Sequence, residues 1–212
     1  MVAKFRCLPM GLFDRFRRAR VERPQPGTGV LPVLFADGDA LSREFHEDVA
    51  TYRESGLEVI PAEVSTTDEL LREIRARSPA ILHLLAAFPP DGSLTDSAGG
   101  ILNLGTLMDI AEESGVTLLI LAHSTPFENL SESISQSKFM NLLTTIDRNH
   151  HFGDFLAGLV DQLTKEVSFG KAFVQLAPQH QALQEGLSLP GAIAVCPGRR
   201  GKRLVMWAEA QP

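Results

Sequence analysis

At 212 residues, with 44% hydrophobic and 22% charged side chains, the chain has the composition of an ordinary globular domain and the length for one core. No apolar run reaches the ~18–20 residues that a membrane-spanning helix needs, and no N-terminal apolar stretch with a small-residue cleavage site reads as a signal peptide, so a cytoplasmic location is expected. The net charge of −6 is unevenly placed: residues 1–30 carry seven Lys or Arg against Asp14 and Glu22, a net of +5, which leaves −11 on the rest and argues against a nucleic-acid binder.

Residues 1–30 form a basic arm, with a short predicted helix around Leu12, Phe13 and Phe16 and a Pro/Gly linker from Pro24 to Gly29. Met10 offers an alternative start. Phe13, Phe16, Arg17 and Arg18 have the chemistry for weak contact with an anionic membrane surface, against the plainer reading of a solvated tail.

From residue 31 onward the pattern alternates as a single α/β domain. "VLPVLFA" (30–36) predicts a strand, and "LSREFHEDVATYRESG" (41–56) predicts a helix stopped by Gly56. "LEVIPAEV" (57–64) reads as a second strand; a helix over 67–77 follows, with Thr66, Thr67 and Asp68 available as caps. "AILHLLAAF" (80–88) is apolar enough for a strand buried on both faces. A Gly-rich loop then leads to "ILNL" and a helix from about Leu104 to Gly115. "VTLLILA" (116–122) and "FMNLLTTID" (139–147) are further strands; helices are expected over 152–166 and 168–177, and "GAIAVCP" and "KRLVMWA" form a hairpin across "GRRG". Strands alternating with helices imply a mostly parallel sheet covered on both faces, with ligands outside the C-terminal strand ends. Those ends fall at Asp37 and Asp39, at Ala87 and Phe88, at His123, Ser124 and Thr125, and at Asp147.

Two cysteines, Cys7 and Cys196, cannot make a disulfide framework, and adjacent His150 and His151 are a poor metal clamp, so neither a metal nor a cofactor is expected. "AHSTP" has the outline of a nucleophile elbow, but Ala122 and Pro126 stand where that turn wants glycine. "FADGDA" suggests a Mg²⁺-holding receiver domain through Asp37 and Asp39, but "ILHLLAAF" ends without the phosphoacceptor carboxylate. Asp37-Gly38-Asp39 reads better as a turn.

In the order of these segments the chain resembles the CHAT family, caspase-like cysteine peptidases of the clan that includes caspases, separase and the gingipains. The resemblance covers roughly residues 55–180 and is most specific over "GGILNLGTLMDIAEESGVTLLILA". It implies a caspase-like three-layer sandwich finished by the C-terminal β-hairpin. In members that cleave peptides the first of the two buried strands ends in His-Gly, the general base, and the second in a Ser-Ala-Cys type sequence with the nucleophile. Here Ala87 and Phe88 occupy the His-Gly place, and Ser124 the cysteine place, or His123 if the register slips by one.

A serine hydroxyl without a base is a poor nucleophile. His83, mid-strand, reads as a satisfied core histidine, and neighbouring His123 and Ser124 project to opposite faces of a strand. The expectation is therefore a catalytically inactive CHAT-like module that binds or regulates a protein partner, in a bacterial signalling or defence assembly, with homodimer formation open. The alternative is a hydrolase with Ser124 as nucleophile and His83 or His123 as base.

Overall fold

The structure is a computed structural model that describes residues 27–36, 41–86, 92–122, 141–145, 152–182, 192–197 and 203–208. Among these, seven strands form one sheet and two short strands form another. The large sheet runs in the order β2 (Ala62–Val64), β1 (Val30–Phe35), β3 (Ile81–Leu85), β6 (Leu118–Ala122), β7 (Asn141–Thr145), β8 (Ala192–Pro197), β9 (Arg203–Ala208). The first five are mutually parallel; β8 and β9 each pair antiparallel with the preceding strand. The small sheet pairs β4 (Ser93–Thr95) antiparallel with β5 (Ile101–Asn103).

Helices lie on both faces, giving a three-layer α/β sandwich. On one face α2 (Thr67–Arg77) and α3 (Leu104–Glu113) set Leu70, Ile74, Leu104, Leu107 and Met108 against Leu31, Val33, Leu82, Leu84, Leu119 and Leu121 of the sheet. On the other lie α1 (Ser42–Glu54), α4 (Phe152–Thr164) and α5 (Phe169–Ala182). There Phe152, Phe155, Leu156, Phe169 and Phe173 meet Val30, Ile81, Leu118, Ile120 and Leu143. The two sets alternate along each strand, as the period of two requires. All residues of β1, β3 and β6 are buried, which explains why these strands read as unbroken apolar runs.

Most expected elements are present within a few residues of their predicted limits, and four differ. The strand expected over 57–64 is cut to Ala62–Val64, with one isolated bridge, Val30 to Val59, upstream. Pro32 of β1 falls in this gap and has no N–H to donate to Ile60 O, which interrupts the ladder between them. The Gly-rich loop after β3 contains β4, whose Leu94 is buried beside Leu102 of β5. The strand expected to begin at residue 116 begins at Leu118. Finally α5 extends to Ala182, past Pro178, where the sequence predicts a stop.

The N-terminus of α2 is held by two carboxylates. A full capping box joins Thr66 and Glu69: the Glu69 N–H donates to Thr66 Oγ1 at 3.2 Å, and Glu69 Oε2 accepts from the Thr66 N–H at 3.2 Å. Asp96, at the end of β4, accepts from Thr67 N at 2.9 Å, Thr67 Oγ1 at 3.1 Å, Ala98 N at 2.9 Å and Gly100 N at 2.7 Å. One side chain therefore closes the β4–β5 turn and ties it to the first turn of α2. The Thr67 amide first, then that of Gly100, holds the Asp96 carboxyl below its ordinary value; the Ser65 amide first, then that of Thr66, does the same for Glu69.

This geometry sets the sign of two tests. A Cβ on Gly100 would overlap Asp96 Oδ2 and lie 2.7 Å from Thr67 Oγ1. Gly100→Ala is expected to destabilise the fold by about 1–3 kcal/mol in urea unfolding. Because the folded-state carboxyl is depressed, its contribution is present in full above the ordinary aspartate range and is lost as pH falls through the lowered value. Asp96→Asn should therefore weaken the protein at neutral pH and flatten the acid limb of its stability profile, measured as urea midpoints across pH. An acid limb as steep as that of the unaltered chain would count against the staple.

Candidate functional site

In a doubly wound parallel sheet the binding crevice forms where strand order reverses. Here the chain passes from β1 outward to β2 and then back across to β3, so the reversal lies between β1 and β3. The C-terminal ends of β3 and β6 are adjacent: Leu85 is in register with Ala122, and Ala86 N–H donates to Ala122 O at 3.3 Å. The last described residue of β1's exit, Ala36, is exposed and has φ of 55°, a left-handed backbone that a non-glycine residue adopts at a cost. Its N–H still pairs with Val64 O at 2.8 Å, so the turn out of the sheet starts at that residue.

Most residues that the sequence places at these ends lie outside the described part of the chain: Asp37, Asp39, Ala87, Phe88, His123, Ser124, Thr125 and Asp147. So do Phe13, Phe16, Arg17 and Arg18 of the arm. Of the candidate bases, His83 is the one described. It is fully buried, on the face of β3 that carries Ile81 and Leu85, flanked in register by Pro32 of β1 and Ile120 of β6.

Its polar neighbours come from α1. Tyr52 Oη lies 2.9 Å from His83 Nδ1, and Asp48 Oδ2 lies 3.6 Å from Nε2. Both partners are themselves fully buried. Asp48 and Tyr52 are four residues apart, hence on one helix face, which is why a single ring meets both. The Tyr52 ring is edge-on to the imidazole at a centroid distance of 5.8 Å, and Phe152 of α4 packs at 6.3 Å. A neutral imidazole that accepts the Tyr52 proton at Nδ1 keeps its N–H at Nε2, facing the Asp48 carboxylate, so the three groups match in donor and acceptor order.

A buried carboxylate, imidazole and phenol in series is the ordering seen in proton-relay sites, but a general base has to reach a substrate proton within about 3 Å. A ring with no exposed surface, enclosed by Tyr52, Asp48 and Phe152, does not present one. The cluster stabilises and positions. Asp48 and Tyr52 escaped sequence reading, although a signal was there: Asp48 interrupts the apolar stripe formed by Phe45, Val49 and Tyr52.

Two other features bound the chemistry. Among the described residues no group of three or more His, Cys, Asp or Glu is arranged to hold a metal, and no helix is long and apolar enough to cross a membrane. A groove of about 320 Å³ runs between α1 and β2, lined by Phe45, His46, Val49, Arg53, Pro61 and Glu63. Among the described residues no cysteine or serine lines it.

Removing the Tyr52 hydroxyl leaves the His83 nitrogen without that contact while keeping the ring. Tyr52→Phe is expected to cost about 1–3 kcal/mol in urea unfolding, more than an exposed tyrosine would. A change within about 0.5 kcal/mol would show that the 2.9 Å contact carries little.

No protein-family model matches the chain, and no curated protein matches it.

Proposed function

We propose that the chain is a catalytically inactive CHAT-like module, caspase-like in its central sheet and closed by a C-terminal hairpin, that acts as a protein-interaction or regulatory domain. Its proposed setting is the cytoplasm of a bacterium, in a signalling or defence assembly. The observation that carries the reading is the pairing of β3 with β6. These are two of the segments on which the resemblance rests, far apart in sequence, and they run side by side with Leu85 opposite Ala122. The sequence positions that follow them are the places where an active member needs imidazole and thiol, and here they are Ala87 and Ser124.

Further support comes from the segment between them. β4, β5 and α3 follow β3 in the order that the resemblance gives, a loop and then "ILNL" leading into a helix. The burial of His83 removes one of the two bases that a Ser124 hydrolase would call upon. Partner binding, including pairing with a second copy, is the use that remains for a kept scaffold whose catalytic positions have been substituted.

The test is reactivity. Fluorophosphonate and activated-ester probes should label neither the unaltered protein nor Ser124→Ala. Labelling that disappears in Ser124→Ala would make Ser124 an activated nucleophile, overturn the non-catalytic reading and leave His123 as the base to examine.

A further inference from the structure

The basic arm enters the fold at one end of the sheet. Gly27 N–H donates to Gly115 O at 2.9 Å and Thr28 N–H to Ser78 O at 3.2 Å, so the root of the arm is bonded to the residues that close α3 and α2. Gly29 O accepts from the N–H groups of Ala80 and Ile81 at the start of β3. A Cβ on Gly27 would overlap Ser78 O and Pro79 O, so the root is enclosed as well as bonded. This is the N-terminal end of β1, β3 and β6. Their C-terminal ends, at Phe35, Leu85 and Ala122, lie about 17 Å further on along the six residues of β1. The charges divide along the same axis. Residues 1–30 carry a net of +5 against −11 on the rest, and Arg15, Arg17, Arg18, Arg20 and Arg23 fall between Phe13 and the root. The body adds little cation at this exit: Arg75 is exposed in the last turn of α2, Arg77 pairs with Glu73 at 3.3 Å, and Glu113 is exposed at the end of α3. What the body supplies there is direction.

We propose that this pole is the membrane-facing end of the protein: the arm binds the surface of an anionic bilayer, and its enclosed root sets the body so that the C-terminal ends of β1, β3 and β6 point away from the lipid. Two phenylalanines among the arginines give the arm apolar groups to place below the headgroups while the guanidinium groups meet the lipid phosphates, a combination that suits a bilayer better than a polyanion without an apolar layer. The acidic body is repelled by the same surface, which confines the contact to the arm and disfavours poses that lay the body flat. The tether is short. Four residues from Arg23 to Gly27 span at most about 14 Å, so a lipid-bound Arg23 keeps the ends of α2 and α3 near the headgroups and the far pole a strand's length beyond. The inference rests on the membrane reading of Phe13, Phe16, Arg17 and Arg18, and stands apart from the CHAT-like reading.

Vesicles test the contact and its direction separately. The full chain should co-sediment with vesicles of mixed phosphatidylserine and phosphatidylcholine but not with phosphatidylcholine alone, and the full-length double variant Arg17→Glu with Arg18→Glu should bind the mixed vesicles about tenfold more weakly or worse. For direction, the two native cysteines are replaced (Cys7→Ser, Cys196→Ser) and a fluorophore is attached at one new cysteine. Ala76→Cys reports from the exposed last turn of α2 beside the root; Ser97→Cys reports from the exposed turn between β4 and β5, at the opposite end of that helix. With headgroup-quencher lipids in the mixed vesicles, quenching at position 76 should exceed that at 97 by about twofold or more, given the ~16 Å length of α2. No sedimentation with the mixed vesicles, or equal sedimentation of the double variant, would overturn the arm as the membrane contact. Binding that depends on Arg17 and Arg18 but quenches both positions equally, or position 97 more, would leave that contact standing and overturn the orientation.

Discussion

β3 lies inside a sheet that is covered on both faces, with a strand on either side of it, so every side chain it carries has to be apolar or hydrogen-bonded within the protein. Four of its five residues are leucine or isoleucine; the fifth is His83. Strand alternation sends that ring to the α1 face, and its register neighbours, Pro32 and Ile120, offer it no polar side chain. The sequence of α1 then follows from the sequence of β3: a helix above this point has to bring a carboxylate or hydroxyl to the imidazole. Asp48 and Tyr52, one turn apart, do so, at the expense of apolar surface that the helix would otherwise use to seat itself.

The opposite face handles a buried charge in another way. Asp96 is surrounded by backbone amides from its own turn and from the start of α2, with one threonine hydroxyl added. Amides are fixed by the chain path, so this site is rigid once the turn closes, and Gly100 has to be a glycine for the carboxylate to fit. His83 depends instead on side chains from an element 31 residues away in sequence at its nearest partner. Asp96 therefore stiffens a local corner, whereas His83 couples two distant parts of the chain. That difference is why one helix is pinned at its end and another is tied to the sheet through its buried face.

How much of this was legible in the sequence depended on whether the signal was periodic or spatial. The unbroken apolar runs of β1, β3 and β6 announce strands buried on both sides, and Thr66 with Glu69 announces the start of α2, because burial and capping act through near neighbours. The β4 strand was missed because Ser-Leu-Thr has a single apolar residue, and its pairing with β5 is fixed by Asp96 rather than by pattern. Pro32 is plain in the sequence, but its effect falls on the neighbouring strand, where the lost donor shortens β2 inside an otherwise convincing apolar run. The cluster at His83 was half legible: the histidine reads as a core residue, but its partners sit on a helix whose placement against β3 is a product of topology. Residues proposed for chemistry cluster at strand exits, where neither period nor cap governs the path.

The broken second strand has a consequence for the molecule in solution. Glu58 O, Ile60 N and Val64 O are directed at β1, so the residues between them, Val59, Pro61 and Glu63, turn their backbone groups away from the sheet. An exposed edge of this kind is a template on which another extended chain can polymerise. Pro61 removes the central donor from that row, the ordered stretch is three residues long, and Glu63 adds a charge where a flat apolar approach would be needed. Pro61 thus acts as a gatekeeper, protecting a sheet rich in leucine and valine from fibrillar growth along this side.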